Sequence, residues 1–323
     1  MRFRSDANRR PCADFPMQIA NIVLPVFLVI GLGYFLAATG SITRETNGAF
    51  SKLVFYVAAP ALLFRGAALS PVLITRDLKL LVVTSAVTLL VAAAVYVAAA
   101  RTHPSRRGVL TQGTHRANMV FVGLPVIANA FGTEAVGRMA LLIGFMVVFY
   151  NLLAVMALVL PHQESGLKAR DVWRKTALGI LGNPLILGSG AGILVSALQG
   201  ELPLFLDRAL DLVGEIAMPL ALLSVGAGLD FRRLRRQLGA TVAVSLVKLV
   251  AYPALVYVCL LAAGFRGLDL QCPVLILASP TAVVSYIMAQ EMRGDEQLAG
   301  AIIIGTTVGS LVTISGWLAF LLS

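Results

Sequence analysis

The stretch RANMVFVGLP, Arg116 to Pro125, lies in the middle of a long apolar run, between GVLTQGTH and VIANAF. Charge is expensive inside a lipid bilayer, and proline removes a backbone hydrogen bond from a helix. Irregular backbone at membrane depth is tolerated only where protein buries it or where it lines a watery cavity. The stretch therefore predicts a broken membrane helix at a functional site, and we expect Gly123 and Pro125 to interrupt it.

The composition of the chain is that of a protein that crosses a membrane many times. Of 323 residues, 58% are hydrophobic and 13% are charged, and the mean hydropathy is +0.87. One crossing needs about 20 helical residues, and cutting the chain at its charged and turn-rich breaks gives ten such stretches, numbered here as spans 1 to 10. The spans start near Gln18, Asn47, Lys79, Val109, Val136, Thr176, Asp207, Gly239, Gln271 and Ala299.

The predicted fold class is therefore an all-α integral membrane protein with ten transmembrane helices. Strand crossings would need about ten residues of alternating polarity at a time, and this alternation does not occur in the sequence. We expect a multi-pass protein of the cell membrane, which is the inner membrane if the source is a bacterium, with the lipid bilayer as its surroundings.

The net charge of +10 is interpreted as a topology signal rather than as a sign of nucleic-acid binding. Short cytoplasmic loops carry an excess of Lys and Arg. The loops after odd-numbered spans hold fourteen basic residues, and those after even-numbered spans hold five. We therefore expect the odd-numbered loops in the cytoplasm, both termini outside and no nucleic-acid partner. Binding of lipid headgroups by the FRRLRR run at 231–236 stays open.

Residues 1–16 weaken this charge count, because they add four arginines to the side assigned as outside. The segment is interpreted as a disordered tail, or as sequence upstream of a true start at Met17. A signal peptide is the other interpretation, since a basic head precedes an apolar stretch that ends in AATGS. Removing span 1 would leave nine spans and would break the repeat described next.

The two halves of the chain share the spacing of their glycines and prolines. Gly33 in span 1 recurs 159 positions later as Gly192 in span 6, and Pro60 in span 2 recurs at the same offset as Pro219 in span 7. GTEAVGRMALLIG in span 5 likewise matches GDEQLAGAIIIG in span 10. Because each copy has five spans, an odd number, the second copy must be inverted in the membrane relative to the first. Inverted repeats of this kind are typical of secondary transporters, whose binding site lies near the midplane of the membrane. The predicted units are the tail 1–16, the first repeat 17–160, a basic cytoplasmic loop 161–175 and the inverted second repeat 176–323.

An inverted repeat requires a second broken helix opposite span 4, and span 9 supplies it. Its sequence LASPTAVVSYIMAQ contains Pro280, which interrupts a helix. Half-helix N-termini carry partial positive charge and favour an anion, so we expect an anion between the two breaks. Arg116 either neutralises that anion or pairs with protein groups and stabilises the break. The candidate binding residues are Arg116, Asn118, Ser279, Pro280, Thr281 and Ser285.

The chain resembles a bacterial member of the auxin efflux carrier family, similar to malate or malonate permeases. RANMVFVGLP, SPTAVVSYIMAQE, NPLILGSGAGIL and MPLALLSVGAGL carry the resemblance, which covers the chain from about Met17 to its end. It implies spans 1, 2, 6 and 7 as a scaffold, the other spans as a moving transport unit, a crossing of spans 4 and 9 at the site, and mono- or dicarboxylates as substrates. A homodimer through the scaffold spans stays open. Plant carriers have proline where this chain has Ala117, so we expect a less sharply broken span 4.

Several charged residues inside or near the spans are candidates for coupling or charge balance. Lys248 lies within span 8, where it is either functional or snorkels toward the cytoplasmic side. Glu215 and Asp211 share a helix face. Glu215 either carries a proton or faces water at the outer end of span 7. Arg65 lies near the outer end of span 2, where we expect it to snorkel.

Other function classes find little support in the sequence. There is no Walker-type loop, and the three cysteines are scattered, so we expect no enzyme, no cofactor and no metal. Two alternatives to the carrier stay open. One is a sodium-coupled symporter of the bile-acid type, in which Gln290, Glu291 and Asn118 would hold sodium. The other is a membrane sensor, which would need an attached signalling domain.

Overall fold

The computed structural model describes residues 15–69, 74–161, 184–198, 200, 202–229, 235 and 237–323. Within these residues every element is helical, apart from one isolated bridge between two residues. The helices in chain order are α1 (Phe15–Ala38), α2 (Arg44–Leu53), α3 (Ala59–Ala68), α4 (Ile74–Ala98), α5 (Pro104–His115), α6 (Leu124–Phe131), α7 (Thr133–Val159), α8 (Pro184–Ala197), α9 (Leu204–Glu215), α10 (Ala217–Ala227), α11 (Leu238–Leu246), α12 (Tyr252–Ala262), α13 (Leu268–Leu277), α14 (Val284–Glu291) and α15 (Glu296–Leu322). Shorter turns are π-helical at Val54–Ala58, Met119–Gly123 and Val247–Ala251, and 3₁₀ at Ala99–Arg101.

Seven helical stretches of the described chain are long and apolar enough to cross a membrane. They correspond to predicted spans 1, 2, 3, 5, 7, 8 and 10, so the all-helical membrane class is confirmed. Spans 4 and 9 are each divided into two shorter helices, and span 6 is described from Pro184 onward. The count of ten spans stays a prediction. Most of the predicted tail (1–14) and of the basic loop (162–175) lies outside the described residues.

Local sequence signals fix several helix ends. Thr43 caps α2, because its hydroxyl accepts a hydrogen bond from the amide of Thr46 (3.1 Å). Asp295 caps α15 in the same way, through the amide of Leu298 (2.9 Å). The sharp turn from α6 to α7 uses Gly132, whose φ of 81° is accessible to glycine at little cost. These caps satisfy amides that a helix start otherwise leaves without partners.

Glycines bring the helices of spans 1, 2, 6 and 7 into backbone contact. A methyl group added at Gly33 would overlap the carbonyl of Leu223, so α1 and α10 touch directly. A methyl group at Gly192 would overlap the carbonyl of Phe64, so α8 and α3 also touch. Gly33 and Gly192 are the pair that the sequence repeat relates. Each glycine therefore packs the first span of its own half against the second span of the other half.

Arg65 joins spans 2 and 7 through two carboxylates. Its guanidinium lies 2.6 Å from Asp207 and 2.7 Å from Asp211, which ties α3 to α9. The expectation that Arg65 snorkels is corrected by these contacts. A guanidinium held by two carboxylates of a neighbouring helix is a structural tie between the two helices.

The remaining ion pairs of the described residues lie within or between helices of spans 3, 4, 5, 9 and 10. Asp269 in α13 accepts from Arg76 in α4 (3.2 Å) and lies 3.7 Å from Arg138 in α7. Arg106 in α5 lies 3.9 Å from Asp295, the cap of α15. Within the described chain, no ion pair connects these helices to those of spans 1, 2, 6 and 7.

The glycine contacts generate a stability prediction with a matched control on the same helix. Gly33→Ala should lower the melting temperature of the detergent-purified protein, because the added methyl group overlaps the backbone of α10; overpacking typically costs about 1–3 kcal/mol. Gly31→Ala should leave the melting temperature nearly unchanged, because nothing lies within 4 Å of the added methyl group. Equal melting temperatures for the two variants would show that α1 and α10 do not touch at this point.

Candidate functional site

The break in span 4 falls at Arg116, Ala117 and Asn118. Helix α5 ends at His115, Arg116 is extended (φ −80°, ψ 98°), and helical backbone resumes at Met119. The helix is thus interrupted although no proline precedes Asn118, in contrast to the shallower break expected from Ala117.

The two residues expected to cause this break do not lie in it. Gly123 closes the π-helical turn Met119–Gly123. Pro125 sits in the first turn of α6, directly after that π-helical turn and beyond the break. In span 9 the expectation holds, because Pro280 lies between the end of α13 at Leu277 and the start of α14 at Val284.

The two breaks pair with each other as a short antiparallel bridge centred on Ala117 and Thr281. The amide of Asn118 donates to the carbonyl of Pro280 (2.7 Å), and the amide of Ala282 donates to the carbonyl of Arg116 (3.0 Å). Buried backbone groups without partners are costly, and far more so away from water. The pairing therefore allows both helices to be broken in the interior.

The hydroxyls of Ser279 and Thr281 bond to helix ends rather than facing open space. Thr281 donates to the carbonyl of Gly113 at the end of α5 (2.7 Å), and Ser279 donates to the carbonyl of Ile276 at the end of α13 (2.6 Å). The Thr281 amide donates to the Thr306 hydroxyl (3.1 Å), and Pro280 has no amide proton. The expected anion donors at these three positions are therefore already committed or absent.

Lys248 is fully buried and does not snorkel. Its ammonium group donates to the carbonyl of Leu277, the last residue of α13, at 2.6 Å, and lies 4.9 Å from the ring centre of Tyr252. A cation at a helix C-terminus interacts favourably with the partial negative charge there. Lys248 therefore stabilises the C-terminal end of α13, where span 9 is broken.

A cavity of about 160 Å³ lies beside the paired breaks. Arg116 and Asn118 line it together with the first residues of the two resumed helices, and residues of spans 2, 5, 6 and 7 form the opposite walls. Its polar and aromatic lining residues are Asn47, Ser51, Phe55, Arg116, Asn118, Phe121, Tyr150 and Ser224. The cavity thus lies between the helices of spans 2, 6 and 7 and the two broken helices.

Arg116 is the charged group of this lining, and it is 5% exposed. Its guanidinium donates to the amide oxygen of Asn151 and contacts the sulfur of Met288. No carboxylate pairs with it among the ion pairs of the described residues. Arg116 thus pairs with uncharged protein groups, as one of its two interpretations expected, and the other interpretation, neutralisation of a bound anion, stays a prediction.

Asn118 is 4% exposed, and its side-chain nitrogen has no hydrogen-bond partner within the described residues. A buried amide donor without a partner is uncommon in folded proteins, and it marks a place where a ligand or water can bind. Asn118, which has an unpaired donor, and the cationic Arg116 therefore lie beside the same cavity.

The other candidate residues lie away from this cavity. Ser285 is buried with its hydroxyl unpaired in the described chain, but it does not line the cavity. Gln290 is exposed, and the side chain of Glu291 lies outside the described part. Glu215 is exposed and lines a second cavity of about 670 Å³ that also contains Arg65 and Asp211.

Sequence reasoning missed the residues that hold Arg116 and shape the cavity walls. Asn151 carried a signal, because an asparagine in the middle of apolar span 5 needs a polar partner. Tyr150 lines the cavity, and its hydroxyl lies 3.1 Å from that of Tyr252, a contact between distant parts of the chain. Asn47 was assigned only to the start of span 2.

Comparison with known proteins identifies the family of the chain. A family model described as membrane transport protein matches residues 18–318. The chain belongs to this family, that of the auxin efflux carriers. It is a membrane transporter and not an enzyme.

Individual relatives match over nearly their whole length. A putative malonate transporter of Rhizobium meliloti (strain 1021) is 27% identical over 311 residues, which cover 93% of this chain and 95% of the relative. An uncharacterized transporter of Methanothermobacter thermautotrophicus is 27% identical over 322 residues, 93% of this chain and 98% of its own. An uncharacterized transporter of Methanocaldococcus jannaschii is 25% identical over 311 residues, which cover 94% of this chain and 97% of the relative.

Proposed function

We propose that this transporter is a secondary carrier of small organic anions, and that the anion binds at Arg116 and Asn118 in the cavity beside the paired breaks. The observation that carries the proposal is the Arg116 guanidinium, which is buried and has no carboxylate partner within the described chain. The relative named as a putative malonate transporter is consistent with a carboxylate as the transported group.

The cost of an isolated buried charge supports an anionic substrate. Removing one partner of a buried ion pair costs about 3–5 kcal/mol, because it leaves the other charge uncompensated. The Asn151 amide and the Met288 thioether accept hydrogen bonds from Arg116 but carry no negative charge. A carboxylate entering the cavity would supply both the missing charge and strong acceptor oxygens.

Two further groups favour an anion at the same place. The unpaired nitrogen of Asn118 can donate to a carboxylate oxygen. The resumed helices begin at Met119 and Val284, and both residues line the cavity. Helix N-termini carry partial positive charge and free amides, so both breaks would direct donors toward one anion.

Alternating access would then come from motion of one helix group against the other. We assign spans 1, 2, 6 and 7 to the scaffold and the other spans to the transport unit, within inverted repeats at 17–160 and 176–323 joined by the loop 161–175. The separate ion-pair networks of the two groups and the equivalent contacts of Gly33 and Gly192 support this division. The cavity lies at the boundary between the groups, where such a motion would change its access.

The alternative of a sodium-coupled symporter has less support. Of its three candidate ligands, Asn118 lines the cavity, whereas Gln290 is exposed and does not. Glu215 also lies apart from the binding cavity. The proposal therefore assigns it no part in binding.

Binding measurements on two cavity variants test the proposed site. Charged hydrogen bonds contribute about 1.5–3 kcal/mol and neutral ones about 0.5–1.5 kcal/mol, and 1.4 kcal/mol is a factor of ten in Kd. Arg116→Gln should therefore raise the Kd of short carboxylates by roughly 10-fold to 100-fold, and Asn118→Ala by up to about tenfold, in thermal-shift titrations of purified protein.

The matched controls are Arg138→Gln and Asn129→Ala, which change the same residue types outside this cavity. Both should bind as the parent does. If the Arg116 and Asn118 variants also bind as the parent does, the site lies elsewhere in the protein.

The orientation in the membrane is part of the proposal. From the charge asymmetry we infer that the loops around Arg106, Arg170 and Arg233 lie in the cytoplasm and that Ser323 lies outside. A reporter enzyme that is active only in the cytoplasm should be inactive when fused after Ser323 and active when inserted near Arg106. The reverse pattern would invert the assignment.

A further inference from the structure

One wall of the cavity is a single face of span 2. Asn47, Ser51 and Phe55 are spaced at i, i+4 and i+8, so they lie in a row on one side of the helix, and all three line the cavity. A rise of 1.5 Å per residue separates Asn47 from Phe55 by about 12 Å along the helix axis. The cavity therefore extends over roughly two helical turns.

The polar atoms of this wall differ in whether they have hydrogen-bond partners. The Ser51 hydroxyl lies 2.7 Å from that of Ser224, so these two groups satisfy each other. The Oδ1 atom of Asn47 is shielded from solvent and has no hydrogen-bond partner in the described residues. A shielded acceptor that lines a cavity and lacks a donor requires an explanation, and a donor group on the occupant of the cavity provides one.

The charges of the cavity are confined to its other wall. Arg116 and the two helix starts lie on the side of the broken helices. The lining residues of the opposite wall, from spans 2, 6 and 7, are uncharged. Apolar side chains such as Phe55, Leu185 and Val225 belong to this opposite wall. The cavity thus has a positive pole at the breaks and a neutral polar patch at Asn47.

Resting on the proposed function, we infer that Asn47 recognises the far end of the substrate. The substrate class is a carboxylate with an apolar middle and a neutral hydrogen-bond donor, such as a hydroxyl or an amide, at the opposite end. A second carboxylate at that end would be desolvated against an uncharged wall, which is unfavourable. A three-carbon acid would fill the positive pole and leave Asn47 without a donor.

The test uses full-length purified protein and three matched ligand series at neutral pH. The series are unsubstituted acids, ω-hydroxy acids and α,ω-dicarboxylates, each from three to six carbons. In the parent, the terminal hydroxyl should tighten binding by up to about tenfold at the chain length that reaches Asn47, as one neutral hydrogen bond allows. The dicarboxylate of that length should bind less tightly than the hydroxy acid.

Two substitutions at Asn47 separate recognition from folding. Asn47→Ala should abolish the gain from the hydroxyl but leave the unsubstituted acids unchanged. Asn47→Asp should keep the gain, because a carboxylate still accepts from a hydroxyl, and it should weaken the dicarboxylate further. Asn129→Ala, which changes an asparagine of the second cavity, should leave all three series unchanged.

The outcomes distinguish this inference from the proposed function. If the acids bind in an Arg116-dependent way, but the hydroxyl adds nothing at any length or its gain survives Asn47→Ala, the role of Asn47 is overturned and the anion site stands. If none of the acids binds the parent, or Arg116→Gln binds them as the parent does, the proposed function itself fails.

Discussion

Two backbone hydrogen bonds between the broken helices, from Asn118 to Pro280 and from Ala282 to Arg116, are the constraint on which the rest of the site depends. A helix broken in a membrane interior exposes amides and carbonyls that water cannot reach. Each break supplies the partners that the other lacks, so neither is stable alone. The pairing also fixes the backbone that carries Arg116 and Asn118, and so turns both side chains into the cavity wall.

The half-helix ends at the breaks differ in their hydrogen-bond partners, and this asymmetry supports the proposed preference for an anion. The C-terminal ends are satisfied by protein groups, because Thr281 bonds to the end of α5 and Lys248 to the end of α13. At the end of α13, the Lys248 ammonium group also offsets the partial negative charge. The N-terminal ends at Met119 and Val284 line the cavity instead. With Arg116 beside them, the cavity combines positive groups with no negative residue in its described lining.

The sequence was sufficient to predict the helical membrane class and the location of both breaks to within a few residues, and it singled out Arg116 and Asn118, which line the cavity. It misplaced the cause of the first break. Gly123 and Pro125 are local helix-breaking signals, whereas the real break is stabilised by pairing with residues more than 150 positions away, which leaves no local signature. Ser279 and Thr281 were candidates because short hydroxyls can bind ligands. The same hydroxyls can also bond to nearby carbonyls, and residue type alone does not separate the two uses.

Lys248 and Asn47 show a second limit of sequence reasoning. A lysine inside a span can reach the membrane surface or a buried carbonyl, and only the position of α13 decides between them. Asn47 looked like the first residue of a span. It becomes a candidate only because it lines the cavity together with Ser51, Ser224 and the breaks, and because its Oδ1 atom has no hydrogen-bond partner among the described residues.

The central claim is that the substrate carboxylate meets the guanidinium of Arg116. Solid-state NMR in lipid measures this contact directly, through the dipolar coupling between a ¹³C-labelled carboxylate and ¹⁵N-labelled arginine side chains. The account predicts a coupling that corresponds to an ion pair, with nitrogen and oxygen within about 4 Å, and its loss in Arg116→Lys at saturating ligand. A coupling that persists in that variant, or that is absent from the ligand-saturated parent, would contradict it.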